Sequence, residues 1–416
     1  MRIVGLECLV CGKTYDPGEV DYVCPDHGDD GVLDVIYDYE RVKAASDQAT
    51  MGFGSMWVYR SMLPIAGDTQ VPSLRIGGTP LYASTGLADR VGVGKVWIKD
   101  EGVQPTGSLK DRASAMAIVK AQERDAKVIT TASTGNAAAA LAGVAASVGQ
   151  ETVIFVPATA PEAKIAQLLA YGATVLLVEG TYDDAVELCL RAGERFGWYN
   201  RTTGFNPYMS EGKKTVAYEI AQQMGWRVPD AIVVSVGDGC IIGSVWKGFH
   251  DLIQMGWIDR MPRIIGAQAA GSNYLAEAWA NGEDVVTKPP IAAETVADSI
   301  SAGLPRDRIK AMRAVVESNG AFVTATDGEI LAAIPVVAAT TGVFPEPAAA
   351  AAWAGTERAV TDGLLSPDDR IVVISTGTGL KDIPSAMKAV DRAGVKAHTI
   401  APNIDAVASA LNEEIM

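Results

Sequence analysis

The chain predicts an α/β fold of two lobes, each a parallel sheet covered by helices, with a small cysteine-bearing segment in front. Three observations carry that prediction. From about Val96 onward, short β-branched runs alternate with helical patterns, the order that builds parallel sheets through crossovers. The 42 glycines and 20 prolines punctuate those alternations and suit many short connections. Apolar residues make up 48% of 416 positions, enough to fill the cores of two or three domains.

The elements follow in order. Val96–Ile98 reads as a strand, Ser108–Glu123 as a helix and Val128–Thr131 as a strand. Ala137–Val148 is a helix, Thr152–Val156 a strand, and Glu162–Tyr171 a helix stopped by Gly172 before the strand Thr174–Val178. The alternation resumes with the strand Ala231–Val236, the helix Ile241–Met255 and the strand Arg263–Ala267. The helices Asp327–Thr341 and Pro347–Val360 precede a last strand at Arg370–Ser375. The expected organisation is a zinc-ribbon-like segment at 1–35, an arm and the start of the catalytic core at 36–110, a smaller lobe at 111–210, a larger lobe at 211–400 and a tail at 401–416.

Composition excludes several functions. With 50 acidic against 35 basic side chains the net charge is -15, which opposes binding to nucleic acid or an anionic membrane. The start MRIVGLECLVC lacks a basic run followed by a long apolar core, so no secretory signal is read. Thr130–Gln150 is uncharged and long enough for a membrane span, but Ala, Gly, Ser and Thr dominate it, which favours a buried helix. Five cysteines without an export signal point to the cytoplasm, as thiols or metal ligands.

Cys8 and Cys11 form one pair of soft ligands, Cys24 and His27 a second, with Asp16-Pro17-Gly18 turning the chain between them. Such pairs can close a tetrahedral zinc site. A loop of free thiols is the other reading; the crowding of three cysteines and a histidine into so short an arm, with little core of its own, favours the metal.

Ligands of open α/β sheets bind beyond the carboxyl ends of the strands. Four loops lie there: Pro105–Ser108, Ser133–Asn136, Gly237–Cys240 and Thr376–Gly379. Gly237-Asp238-Gly239-Cys240-Ile241 leaves a strand and enters a helix, so its amides can face an anion; it lacks the later glycine and acidic partner of a dinucleotide site. Lys110 stands at the positive end of its helix, which disfavours the ammonium form and suits an amine that attacks a carbonyl. A phosphate cradle and a carbonyl-seeking amine are together the requirements of pyridoxal phosphate.

At this point the motifs resemble a known family. PTGSLKDR at Pro105–Arg112 is similar to the PTGSFKDR signature of the threonine synthase family, with Leu109 in place of the usual Phe. GGTPL at Gly77–Leu81, STGNAAAALAG at Ser133–Gly143, EGKKT at Glu211–Thr215 and TGTGLKD at Thr376–Asp382 resemble further segments. The likeness runs to about residue 390 and places the chain in the tryptophan synthase β-like group of pyridoxal phosphate enzymes, fold type II.

The resemblance implies roles. Lys110 would form the covalent link to the cofactor aldehyde, and Asn136 would hydrogen-bond the ring 3-hydroxyl. Ser133, Thr134 and Gly135 would hold the substrate carboxylate, with Asn206 also in substrate binding. Gly237, Asp238, Gly239, Cys240 and Ile241 would cradle the cofactor phosphate, the Asp238 carboxylate pointing away. Thr376 would meet the pyridine nitrogen, leaving the ring largely neutral. The implied reaction is that of a lyase of threonine biosynthesis, O-phosphohomoserine and water giving L-threonine and phosphate, in a homodimer. Elimination or replacement at Cβ of another amino acid is the alternative, as in serine or threonine dehydratases and cysteate synthase. The family's NPYMSEG segment often carries Arg where this chain has Met209, so the substrate phosphate would turn to Arg201, Lys213 or Lys214.

Overall fold

The computed structural model describes residues 2–160 and 162–411. Thirteen strands are present among them. β1 (Ile3–Cys8), β2 (Thr14–Tyr15) and β3 (Leu33–Tyr37) form an antiparallel sheet, order β2-β1-β3. Then come β4 (Leu81–Ala83), β5 (Lys95–Asp100), β6 (Val128–Ala132), β7 (Glu151–Pro157), β8 (Thr174–Val178), β9 (Tyr199–Asn200), β10 (Ala231–Ser235), β11 (Arg263–Ala269), β12 (Ala321–Ala325) and β13 (Arg370–Ser375).

They divide into two further sheets. One has six strands in the order β12-β11-β10-β13-β5-β4, parallel except for β4 at its edge. The other has four parallel strands, order β8-β7-β6-β9. All five residues of β10 are buried, as a strand covered on both faces should be. The uncharged stretch 130–150 divides between β6 and a buried helix, Asn136–Ala146. Among the described residues no helix is long and apolar enough to cross a membrane.

The pairing of β5 with β13 positions the site. Asp100 lies opposite Ser375, so the loops that follow the two strands emerge side by side. The Leu109 amide donates to the Thr376 carbonyl at 2.9 Å, and the Thr378 amide to that of Gly107 at 3.0 Å. This lacing holds Ser108 and Leu109 out of the helix, which runs from Lys110 to Gln122, starting two residues later than its sequence pattern predicts.

A buried ion cluster braces the same region. Arg112, on the first turn after Lys110, donates to Glu101 from Nε at 2.8 Å and Nη2 at 2.7 Å, and to Glu219 from Nη1 at 2.7 Å. Lys99 of β5 adds a 2.8 Å bond to Glu219, whose carboxylate also accepts the Gly78 amide at 2.8 Å. The GGTPL, PTGSLKDR and EGKKT segments thus meet through one arginine, with Thr215 receiving another of its N–H groups at 2.9 Å. A second cluster ties the N-terminal sheet to the rest. Asp34 of β3 faces Lys247 at 3.0 Å and Arg313 at 2.8 Å, and Lys214 is held between Glu211 at 2.6 Å and Asp251 at 2.7 Å.

Candidate active site

A cleft of about 970 Å³ opens beyond the carboxyl ends of the strands, lined by Lys110, the Ser133–Asn136 turn, Arg201 and Asp238. Asp29 and Asp30 of the N-terminal segment reach its rim, where Asp30 is bonded to Arg308.

Lys110 is half-buried on the first turn of its helix. Burial, with the neighbouring cations Lys213 and Arg201, lowers its amine from the usual lysine value to about 8, against the opposing pull of Cys240 and Asp238. A lysine so placed has roughly a tenth of its amine unprotonated at pH 7, far more than an ordinary lysine, and can act as nucleophile or base.

The Ser133–Asn136 turn follows β6. Ser133 Oγ accepts the Gly135 amide at 3.2 Å, which shapes the turn, and Asn136 opens the next helix. The buried Asn136 amide donates from Nδ2 to Glu346 Oε1 at 2.7 Å. Glu346 sits against the 376–379 turn, its own amide donating to the Gly377 carbonyl at 3.1 Å. A Cβ at position 377 would lie 2.4 Å from Glu346 Oε1, so any other residue would push the Glu346 carboxylate off its place beside Asn136. Burial raises the Glu346 carboxyl, countered by the Asn136 bond and Lys381. The buried Lys381 Nζ has no hydrogen-bond partner among the described residues. Thr376 is buried beside Lys110's laced approach.

The glycine turn at 237–241 leaves β10 and enters the helix Cys240–Gln254. Gly239 has φ +89, and a Cβ there would lie 2.9 Å from the Asp307 carbonyl oxygen. The loop is therefore pressed against the start of the helix Arg308–Glu317, with its amides at the N-terminus of its own helix, a fitting cradle for an anion. The Asp238 carboxylate turns to the Arg306 amide, 3.5 Å away. Lys213 reaches the loop from the EGKKT segment, its Nζ 2.7 Å from Cys240 Sγ. Among the described residues Lys213 meets no carboxylate, and Arg201 Nη2 has no hydrogen-bond partner at all. Unneutralised cations around a glycine turn and a reactive amine form a donor set that fits an anionic aldehyde such as pyridoxal phosphate.

Sequence reasoning missed Glu346 and Lys381. The signal was present in Pro345-Glu346-Pro347, an acid between two prolines ahead of a long uncharged run. Asn206 is occupied within its own loop, Nδ2 donating to the Asn200 carbonyl at 2.8 Å and Oδ1 accepting the Tyr208 amide at 3.0 Å. Met209 is fully buried, and Lys214 is already ion-paired.

At the other end of the molecule, the ligand atoms of Cys8, Cys11, Cys24 and His27 all lie within 4.8 Å of one another. Zinc bonds of about 2.0–2.3 Å set tetrahedral ligand separations of roughly 3.3–3.8 Å. Cys24 Sγ is 3.4 Å and Cys8 Sγ 3.9 Å from His27 Nδ1, close to that range. Burial pushes the Cys24 thiol up, but hydrogen bonds from Tyr15 and His27 bring it down to about 6, favouring a thiolate.

Comparison with known proteins agrees with this geometry. Residues 72–377 match the family described as pyridoxal-phosphate dependent enzyme. The threonine synthase of Methanosarcina acetivorans is 38% identical over 98% of this chain and 98% of its own. That of Methanocaldococcus jannaschii is 37% identical over 92% and 94%. The processed form of threonine deaminase isoform 2 from Solanum lycopersicum superposes with TM-score 0.65 at 25% identity, covering 76% of this chain and 88% of that one. Diaminopropionate ammonia lyase from Escherichia coli shares the fold, with TM-score 0.64 at 20% identity over 79% and 89%. The chain therefore belongs to the threonine synthase family of fold type II, and it is a pyridoxal-phosphate-dependent carbon–oxygen lyase.

Proposed function

We propose that the enzyme converts O-phosphohomoserine and water to L-threonine and phosphate. The observation that carries this reading is the likeness, over nearly the whole chain, to two proteins named threonine synthase. Bound pyridoxal phosphate would supply an aldehyde for covalent linkage and a ring that withdraws electrons from the substrate's Cα. The residues of the chain do the rest. The Lys110 amine would take the proton from the substrate's Cα and later move protons at Cβ and Cγ. The Ser133–Asn136 turn offers its amides to the substrate carboxylate. The Gly237–Ile241 loop, with Lys213 behind it, would hold the cofactor phosphate, and Asn136, fixed by Glu346, would face the ring hydroxyl. The Cγ–O bond breaks with its electron pair leaving on phosphate, and water adds its oxygen at Cβ.

Incubating the purified enzyme with O-phosphohomoserine tests the reading, with equal yields of threonine and inorganic phosphate expected. The threonine deaminase likeness and the apolar Met209 support a second reading, elimination at Cβ. Keto acid from serine or threonine, with no phosphate from O-phosphohomoserine, would establish that alternative instead.

We also infer that Cys8, Cys11, Cys24 and His27 hold a structural zinc ion. Metal analysis should return one zinc per chain. Cys24→Ser should lose it and unfold at lower urea, whereas zinc-free wild type with unaltered stability in Cys24→Ser would exclude the ion.

A further inference from the structure

We propose that Arg201 is the anchor for the substrate's second anionic group, the phosphate on Cγ. This rests on the reading of the enzyme as acting on O-phosphohomoserine.

Arg201 follows β9, its amide donating to the Thr130 carbonyl of β6 at 2.9 Å. Its side chain is 1% exposed, and yet no carboxylate lies within ion-pairing distance among the described residues. Nε donates to Ser114 Oγ at 3.3 Å and Nη1 to Thr203 Oγ1 at 3.4 Å, both long bonds to neutral hydroxyls; Nη2 has no hydrogen-bond partner among the described residues. A buried guanidinium left this way is costly unless an anion completes it. Ser114 is one turn from Lys110 on the same helix, so the fork stands beside the reacting amine, and Arg201 and Lys110 line the same cleft.

Counting charges assigns the anion. A loaded cleft must hold the cofactor phosphate, for which the Gly237–Ile241 loop and Lys213 are built, and the substrate carboxylate, for which the Ser133–Asn136 turn is built. Of the other cations lining the cleft, Lys164 and Arg308 are ion-paired and Arg306 is only half-buried, which leaves Arg201 as the fully buried cation still lacking a counter-charge among the described residues. A substrate with one anion would leave it unmatched, whereas an amino acid carrying a phosphate two carbons beyond Cα matches it. The planar fork suits a phosphate, which accepts two parallel N–H bonds. The other basic residues of the neighbouring segment do not compete, because Lys214 is ion-paired and Lys213 sits on the glycine loop.

The test uses holoenzyme and two unreactive amino acids, 2-amino-5-phosphonopentanoate and norvaline, which share a carboxylate and differ in the phosphonate. Their dissociation constants are read from the visible spectrum of the bound cofactor. In Arg201→Gln the phosphonate ligand should bind about 10²-fold more weakly, norvaline and pyridoxal phosphate should be unaffected, and KM for O-phosphohomoserine should rise more than kcat falls. Arg201→Lys, which keeps the charge without the fork, should lose about tenfold for the phosphonate alone, and it decides the matter if Arg201→Gln does not fold. Equal weakening of both amino acids would move Arg201 to the carboxylate, and loss confined to pyridoxal phosphate to the cofactor; either overturns the proposal, as does no change. If the wild type makes threonine while Arg201→Gln keeps its phosphonate affinity, the anchor is wrong and the reaction stands. If the wild type makes no threonine and binds both ligands alike, the reaction and the anchor fall together.

Discussion

Arg112 and Arg201 are two fully buried arginines of one enzyme with opposite surroundings. Arg112 meets two carboxylates and two hydroxyls, while among the described residues Arg201 meets two hydroxyls at long range and no carboxylate. Burial raises the cost of any charge, and the two sites handle it differently. At Arg112 the chain supplies every counter-charge, which makes a brace; at Arg201 it supplies none, which leaves the charge for a ligand. Motif membership points to the wrong arginine as the ligand site, since Arg112 belongs to PTGSLKDR and Arg201 to no quoted motif. The partner list does.

Substitutions can break the comparison. Arg112→Met should have the largest effect, a loss of about 3–5 kcal/mol in urea unfolding, because it strands the buried Glu101 and leaves Glu219 with Lys99 as its ion-pair partner. A small loss would mean that the carboxylates are easily hydrated and the brace is ornamental. Arg201→Met should go the other way, gaining about 0.5–2 kcal/mol in cofactor-free protein while losing affinity for phosphonate ligands. A loss comparable to that of Arg112→Met would make Arg201 a second brace.

Lys110 sharpens the same contrast through pH. Its folded value, about 8, lies below the ordinary lysine value of 10.5, so between these two the unfolded chain binds the extra proton. The Lys110 contribution to stability therefore rises as pH climbs through that window and is least favourable below it. Cofactor-free Lys110→Met should accordingly exceed the wild type in stability at pH 7, with a gap that narrows toward pH 10. A gap independent of pH would show that the amine is not perturbed.

Much of the fold was legible because its signals are local. β8, β13 and the helix Asp327–Thr341 have the bounds that periodicity and caps indicate, the last despite Pro335 inside it. The helix Tyr182–Phe196 was not read, although Thr181 and Asp184 form a capping box and Gly197 ends it. β12, AFVTA, is too short and too rich in alanine to stand out. β1–β3 were hidden because cysteine spacing dominates that segment and the register shifts between Ile3 and Gly5. In the cleft, Lys110 and the glycine turns could be picked out because each announces its chemistry within a few residues. The Asn136–Glu346 bond could not, since its partners are 210 residues apart. The isolation of Arg201 is a property of what surrounds it, so only coordinates reveal it.

The pairing of β5 with β13 also sets a timetable. Strand Lys95–Asp100 has β4 beside it from the start but cannot find its parallel neighbour until Arg370–Ser375 has been synthesised, a delay on the order of tens of seconds on the ribosome. Until then the large sheet has an open seam, and the Lys110 segment has nothing to lace against. Nascent chains should therefore capture the cofactor only after the last quarter of the protein emerges, and chains truncated before β13 should be targets for chaperones.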